Sequence, residues 1–101
     1  MNQYLYRIQP SRLAMLAQGA TPEEEAVIDA HFSYLQDLTR RGVVLLAGRT
    51  LNTDPSAFGI VIFEAECDQA ALAIMQADPA VRAGVMRAEL FPYRVALLAE
   101  E

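Results

Sequence analysis

The sequence has no lysine and no tryptophan, and it contains only one cysteine and one histidine. Its eight cationic side chains are therefore all arginines, set against thirteen acidic residues for a formal net charge of −5. Nucleic acids and anionic membrane surfaces bind clustered cations, so the sequence predicts neither kind of partner. One cysteine cannot form an internal disulfide, which favours a reducing compartment, and we expect the cytoplasm.

Long hydrophobic runs are also missing. The apolar stretches extend over a few residues, too few for a transmembrane helix, and the first ten residues lack a signal-peptide pattern. With 101 residues the chain is expected to form one domain over positions 1–101. Hydrophobic residues nevertheless make up 53% of it, and a domain this small cannot bury them all. The composition predicts an exposed apolar surface that favours self-association.

The segment "TPEEEAVIDAHFSYLQDLTRRG" carries the strongest helix signals. Thr21 is placed as N-cap, Pro22 as the first helical residue and Glu24 as the third, which is a capping box. Gly42 supplies a stop signal. His31, the single histidine, falls in line with the apolar residues that recur at three- and four-residue steps. A titratable ring at such a position needs a polar partner, because an unpaired one would cost stability.

Five further segments predict the other regular elements of the fold from their apolar patterns and turn residues. Residues 10–20 predict a packed loop or a short helical turn, and residues 80–84 predict a turn. In chain order, the regular elements are strand 3–9, the helix above, strands 43–50 and 58–65, a helix at 69–77 capped by Asp68, and strand 86–98. This βαββαβ order predicts an α+β, ferredoxin-like fold, in which two helices cover one face of an antiparallel sheet.

The strand at 58–65, "FGIVIFEA", is apolar at both alternating sets of positions. The two helices cover only one face of the sheet, so the other face needs cover as well. A second copy of the same sheet is the simplest cover, and the pattern predicts a homodimer packed sheet to sheet.

Three pieces of sequence carry a family resemblance: "HFSYL" at 31–35, "GVVLLAGRT" at 42–50 and "ADPAVRAGV" at 77–85, followed by a terminal strand with Pro92. In this order and at these separations, the chain resembles the YCII-related (YciI-like) family over nearly its whole length. The resemblance implies a dimeric α+β barrel and an active-site pair formed by His31 and Asp78. Relatives commonly have Gly-Pro where this chain has Gly48-Arg49, which adds a cation at a strand end.

The residues themselves leave two interpretations of the pair open. Asp78 could accept a hydrogen bond from the His31 ring, fix its tautomer and raise its basicity for general acid–base catalysis. Alternatively, His31 is a core histidine with ordinary partners, and Asp78 bonds backbone N–H groups before Pro79. Tyr4 and Tyr6 share a strand face and are expected in the core or in a pocket wall.

Four other side chains are candidates for binding a substrate. Tyr34 lies one helical turn after His31, and Arg7, Arg49 and Arg94 lie on predicted strands. An arginine in the pocket would favour an anionic ligand. The alternative for Tyr34 is simple packing, and for each arginine it is a solvated or interfacial position.

The leading hypothesis is a cofactor-free enzyme of the lyase, isomerase or dehydrohalogenase type, acting on a small molecule through His31 and Asp78. The alternatives are a non-catalytic ligand-binding or regulatory module of the same fold, or a purely structural dimer. No metal is expected, since one histidine, one cysteine and scattered carboxylates give no tetrahedral ligand set. No phosphate-binding glycine loop is present either.

Overall fold

The computed structural model describes residues 1–99 and shows four strands and four helices in this part of the chain. The elements are β1 (Asn2–Pro10), α1 (Ala14–Gln18), α2 (Pro22–Arg40), β2 (Val44–Arg49), β3 (Gly59–Ala65), α3 (Asp68–Ala77), α4 (Pro79–Arg82) and β4 (Met86–Tyr93). None of the helices is both long and apolar enough to cross a membrane.

The strands form one sheet in the order β2-β3-β1-β4, and every neighbouring pair is antiparallel. Opposed residues of an antiparallel pair point to the same face, so the register assigns each side chain to a side. Tyr6 on β1 lies opposite Val61 on β3 and Leu90 on β4. The predicted ferredoxin-like α+β fold is confirmed.

The core lies between the helices and one face of the sheet, which we call the helix-facing side. On β1, alternate residues from Tyr4 to Pro10 are buried. Tyr6 and Phe63 are both 0% exposed, and their rings meet edge to face with centroids 5.7 Å apart. From the helices, Leu35, Leu38, Ala71 and Met75 complete this core. An aromatic pair in such an arrangement adds about 0.5–1.5 kcal/mol beyond the area it buries.

Helix α2 begins as its sequence predicts. The Thr21 side chain accepts a hydrogen bond from the Glu24 backbone N–H, and the Glu24 carboxylate accepts one from the Thr21 N–H. Arg12, in the preceding connector, donates from Nε and Nη2 to the two oxygens of Glu24 at 2.9 and 2.6 Å. Gly42 follows the helix at φ +76°, a conformation that glycine adopts without steric cost.

Three local predictions were wrong. The last strand stops at Tyr93 instead of 98, because Tyr93 already pairs with Gln3 near the beginning of β1 and no partner strand extends further. Cys67, not Asp68, is the N-cap of α3, and Asp68 is its first helical residue. The expected turn at 80–84 begins as the one-turn helix α4, because Pro79 and its neighbours continue into helical backbone.

Strand β2 contains a β-bulge. Val44 pairs with Phe63 and Leu46 pairs with the adjacent Ile62, so Leu45 is one residue more than β3 can match. Beyond this point β2 continues in regular register as far as the pair formed by Arg49 and Gly59.

The second face of the sheet, which we call the open face, is not covered by any of the helices within residues 1–99. It presents Leu46 and Phe91, which are 46% and 43% exposed, beside the half-buried Leu5. In its middle, Arg7 forms an ion pair with Glu89 on the neighbouring strand. The predicted apolar character of both faces of β3 is confirmed, since Val61 and Phe63 point to the helices and Ile60 and Ile62 to the open face.

The contact between Arg12 and Glu24 predicts an acid-sensitive contribution to stability. Hydrogen bonds from Arg12 and from the Thr21 N–H lower the pKa of Glu24 from 4.5 to about 2. A lowered carboxyl pKa stabilises the fold above pH 4.5, and this contribution is lost as the pH falls toward 2. We expect Glu24→Gln to lower the melting temperature at pH 7 and to have little effect near pH 2. Thermal unfolding across this range measures the difference.

Glu23→Gln is the matched control, since Glu23 lies beside Glu24 in the first turn and is exposed. A destabilisation by Glu24→Gln that is the same at every pH, or that Glu23→Gln reproduces, would contradict the assignment.

Candidate active site

His31 and Asp78 are in direct contact, although 47 residues separate them in the sequence. The Nδ1 atom of His31, in the middle of α2, lies 2.7 Å from Oδ1 and 2.8 Å from Oδ2 of Asp78. The Asp78 side chain is 0% exposed and that of His31 is 13% exposed. The pair is therefore a hydrogen-bonded contact between a buried carboxylate and a ring that still reaches the surface.

The chain brings Asp78 to this point by changing from one helix to the next. Asp78 is both the C-cap of α3 and the N-cap of α4, with φ −59° and ψ 123°. The following Pro79 disfavours helical backbone at Asp78, which breaks the two helices apart. Asp78 Oδ1 accepts a hydrogen bond from the Ala80 N–H at 3.0 Å.

The two interpretations of Asp78 therefore both describe the structure. The carboxylate caps α4, as expected for an aspartate before proline, and it also contacts His31. Capping fixes the position of the carboxylate through the backbone, so the His31 ring meets an acceptor that is already in place.

A third group donates to the same carboxylate. The Tyr6 hydroxyl, on the helix-facing side of β1, donates to Asp78 Oδ2 at 2.8 Å. Burial, and secondly the charge of Asp78, raises the pKa of Tyr6, so its hydroxyl stays protonated. The Ala80 N–H and the Tyr6 hydroxyl thus donate to the two different oxygens of the buried Asp78 carboxylate.

An ionised carboxylate accepts hydrogen bonds only, so the atom that faces it, His31 Nδ1, carries a proton. In the neutral ring the lone pair is then on Nε2, for which no hydrogen-bond partner exists within residues 1–99. This arrangement suits a general base that takes a proton at Nε2, or a general acid that returns it.

Tyr34, the first of the predicted substrate-binding residues, lies close to this pair but uses its proton elsewhere. Its hydroxyl donates to the backbone oxygen of Ile74 at 2.8 Å. Burial, and secondly the charge of Asp78, raises the pKa of Tyr34. The hydroxyl oxygen of Tyr34 can still accept a hydrogen bond, but the hydroxyl proton is already donated to the backbone of α3.

The three predicted arginines lie away from the pair. Arg7 is on the open face, so the sheet separates it from the Asp78 carboxylate. Arg94 lines an open groove of about 410 Å³ with Tyr4 and Asp68. Arg49 lines another, of about 310 Å³, whose wall is otherwise mostly apolar. Neither groove is lined by His31 or Asp78.

The side chains of residues 1–99 that could act as metal ligands form no metal-binding cluster. Among residues 1–99, no three His, Cys, Asp or Glu side chains come together in a way that could hold an ion. Cys67 is exposed and unpaired by a disulfide.

The comparison with known families identifies the chain. The model of the YCII-related domain matches residues 5–94, which is most of the sequence. The chain belongs to the YCII-related family. A search of curated proteins gave no match.

Among solved structures, this YCII-related chain is similar to the 5-chloro-2-hydroxyhydroquinone dehydrochlorinase TftG of Burkholderia phenoliruptrix AC1100, in complex with 2,5-dihydroxybenzoquinone. The TM-score is 0.63 and the identity 18%, over 90% of this chain and 93% of that one. At this identity the match shows a common fold. The family and the fold expected from the sequence are thus both confirmed.

Sequence reasoning placed Tyr6 in the core or a pocket wall and missed its contact with Asp78. A signal was present, because tyrosine on the buried side of a strand nearly always needs a partner for its hydroxyl. The pattern could not name that partner, which lies 72 residues further along the YCII-related chain.

The contact between His31 and Asp78 predicts a defined tautomer. In the wild type we expect the neutral ring to carry its proton on Nδ1. In Asp78→Asn, the amide can donate to Nδ1, so the proton moves to Nε2 and the other tautomer dominates. Long-range ¹H–¹⁵N correlation spectra of the ring distinguish the two forms.

Asp68→Asn is the control, because Asp68 also accepts a tyrosine hydroxyl, that of Tyr4, at 2.8 Å. The same tautomer in wild type and Asp78→Asn would contradict this geometry.

Proposed function

We propose that this member of the YCII-related family is an enzyme that moves a proton on a small organic molecule, with His31 as general base or acid. The observation that carries the proposal is the contact of His31 Nδ1 with both oxygens of the buried Asp78, at 2.7 and 2.8 Å. Asp78 orients the ring and stabilises the imidazolium that forms when Nε2 takes a proton.

The reaction class that this pair supports is elimination or isomerisation. Nε2 would take a proton from a hydroxyl group or from a carbon next to a carbonyl. In a dehydrohalogenation, the halide then leaves with the electron pair of the carbon–halogen bond, and the base later releases its proton. The net change is the loss of HX, which is redox-neutral and needs no cofactor for its balance. General acid–base catalysis of this kind contributes about 10²- to 10⁴-fold.

Halogenated hydroquinones are the first substrates to test, because the structural neighbour TftG is a dehydrochlorinase of one such compound. A phenolic hydroxyl is acidic enough to give up a proton to an imidazole base when the phenolate is stabilised. Binding of the anionic form would be helped by an arginine, which is the role proposed for Arg7, Arg49 or Arg94.

We further propose a homodimer packed through the open face. Apolar side chains on this face, among them Leu46 and Phe91, are partly exposed in the single chain. Arg7 Nε is shielded from solvent and has no hydrogen-bond partner within residues 1–99. A second copy, related by a twofold axis, would bring a carboxylate such as Glu89 to this nitrogen while it covers the apolar residues. Arg49 and Arg94 are exposed at the ends of strands, and such a dimer would leave them free to act in a site together with Tyr34. Arg7, in contrast, would lie between the two sheets.

A cytoplasmic location is part of the same proposal. Cys67 is free and exposed in the structure, and thiols of this kind persist in reducing compartments.

A ligand-binding module without chemistry is the second candidate. It is favoured by one observation, that neither of the two grooves described above is lined by His31 or Asp78. Under this alternative a ligand such as 2,5-dihydroxybenzoquinone would bind, and it would do so equally well after His31 is replaced.

Turnover of 5-chloro-2-hydroxyhydroquinone, followed as chloride release, tests the catalytic proposal. We expect His31→Gln to lower kcat/KM by about 10²- to 10⁴-fold, because glutamine keeps a polar side chain but cannot accept a proton at neutral pH. Asp37→Asn, an exposed position on the same helix, is the control and should keep full activity. Chloride release by His31→Gln at the wild-type rate would exclude His31 as the base. Binding of 2,5-dihydroxybenzoquinone by both variants, with no turnover by the wild type, would favour the second candidate.

The oligomeric state tests the dimer. We expect the wild type to sediment at twice the 11.1 kDa of one chain, and Phe91→Glu to sediment as a monomer, since it adds a charge to the open face. Leu72→Glu is the control: Leu72 is similarly exposed, at 38%, but lies on α3 at the opposite side of the molecule. A monomeric wild type, or an effect of Leu72→Glu equal to that of Phe91→Glu, would rule out this interface.

A further inference from the structure

The hydroxyl of Tyr6 makes a buried contact that packing of the tyrosine ring does not explain. It is 0% exposed, and its hydroxyl reaches past the core to Asp78 Oδ2 at 2.8 Å. The ring is held edge to face against Phe63, with an interplanar angle of 74°. A phenylalanine would fill the same space, so the hydroxyl is the part of Tyr6 that the packing alone does not explain.

The surroundings of Asp78 show what that hydroxyl does. The carboxylate is 0% exposed and receives the Ala80 N–H, the Tyr6 hydroxyl and the His31 ring. Burial alone favours the protonated form of a carboxyl group, whereas hydrogen bonds from donors favour the ionised form. If Asp78 held a proton, it would donate to His31 Nδ1 and leave the ring hydrogen on Nε2, which is the wrong tautomer for a base.

Tyr6 also affects how strongly the Asp78 carboxylate attracts the protonated His31 ring. A hydrogen bond from a neutral donor withdraws negative charge from the carboxylate and so weakens its attraction for an imidazolium. The Tyr6 bond is strongest when Asp78 bears its full charge, that is, when His31 is neutral. It therefore stabilises the neutral ring relative to the charged ring.

Other groups around the pair do not replace this contact. On α2, the Tyr34 hydroxyl donates to the Ile74 backbone oxygen instead. On α4, Ala80 contributes a backbone N–H, and Arg82 is exposed and makes no hydrogen bond to the pair. From β1, Tyr6 is the side chain that reaches it.

We propose that Tyr6 is a positioning residue of this site, whose hydroxyl keeps Asp78 an acceptor and lowers the proton affinity of His31 through it. His31 is then neutral, and able to act as a base, over a wider range toward acidic pH. The catalytic value of this effect rests on the proposed function, but the effect on the proton affinity of the ring does not.

The test is an NMR titration of the His31 ring in wild type, Tyr6→Phe and Tyr4→Phe. Tyr6→Phe keeps the ring and removes only the hydroxyl. We expect its titration midpoint to rise by about 0.5 to 1 pH unit, which is a three- to tenfold increase in proton affinity. Tyr4 is the matched control, because it lies two residues away on the same face, also contacts Phe63, and donates to Asp68 instead. Tyr4→Phe should leave the midpoint unchanged.

An unchanged midpoint in a folded Tyr6→Phe, or the same rise in Tyr4→Phe, would overturn the proposal.

If Tyr6→Phe does not fold, the ¹⁵N-labelled 3-fluorotyrosine protein gives a second measurement. Its more acidic hydroxyls are stronger donors, so the midpoint of His31 should fall, and Tyr4→Phe labelled in the same way should show the same fall. No fall in either labelled protein would also overturn the proposal. None of these measurements needs a substrate, so absence of turnover would count against the proposed function and not against the role of Tyr6.

Discussion

The buried carboxylate of Asp78 is the constraint on which the arrangement of the other elements depends. Transfer of an ionised group out of water costs several kcal/mol unless hydrogen bonds replace the lost solvation. In this chain the replacements come from a sheet strand, a long helix and a one-turn helix, through Tyr6, His31 and the Ala80 N–H. A shift of any of these elements would leave the carboxylate short of a donor. The contact therefore fixes how the helical layer sits on the sheet as well as how the ring is oriented.

Structure and chemistry are combined in one residue here, which affects how variants should be interpreted. Asp78 ends α3, begins α4 and holds His31, so its replacement changes stability and the site together. His31 and Tyr6 are different, because each reaches the carboxylate through a side-chain tip that can be removed while the backbone is kept. The separate effects of the ring and of the phenol are thus accessible, whereas those of the carboxylate are not.

Local signals in the sequence predicted local structure well. The capping box of α2 and the alternation in β1 need only neighbouring residues, and both appear in the structure as expected. The contact between His31 and Asp78 came from the family resemblance, since no periodicity links residues so far apart. The end of β4 at Tyr93 depended on where its partner strand runs out, which the pattern of β4 does not contain. The side of the sheet on which each arginine lies could likewise be assigned only from the strand register. The partner of the Tyr6 hydroxyl could be identified only from the packed fold.

The bulge at Leu45 lets β2 carry one residue more than its partner without changing the pairing of the residues that follow. Without Leu45, Val44 and Leu46 would be consecutive residues opposite Phe63 and Ile62, which is the register of a regular ladder. Loss of Leu45 would therefore leave Arg49 opposite Gly59 and on the same side of the sheet. A length difference of one residue at this point is absorbed locally, so an arginine further along the strand keeps its side of the sheet.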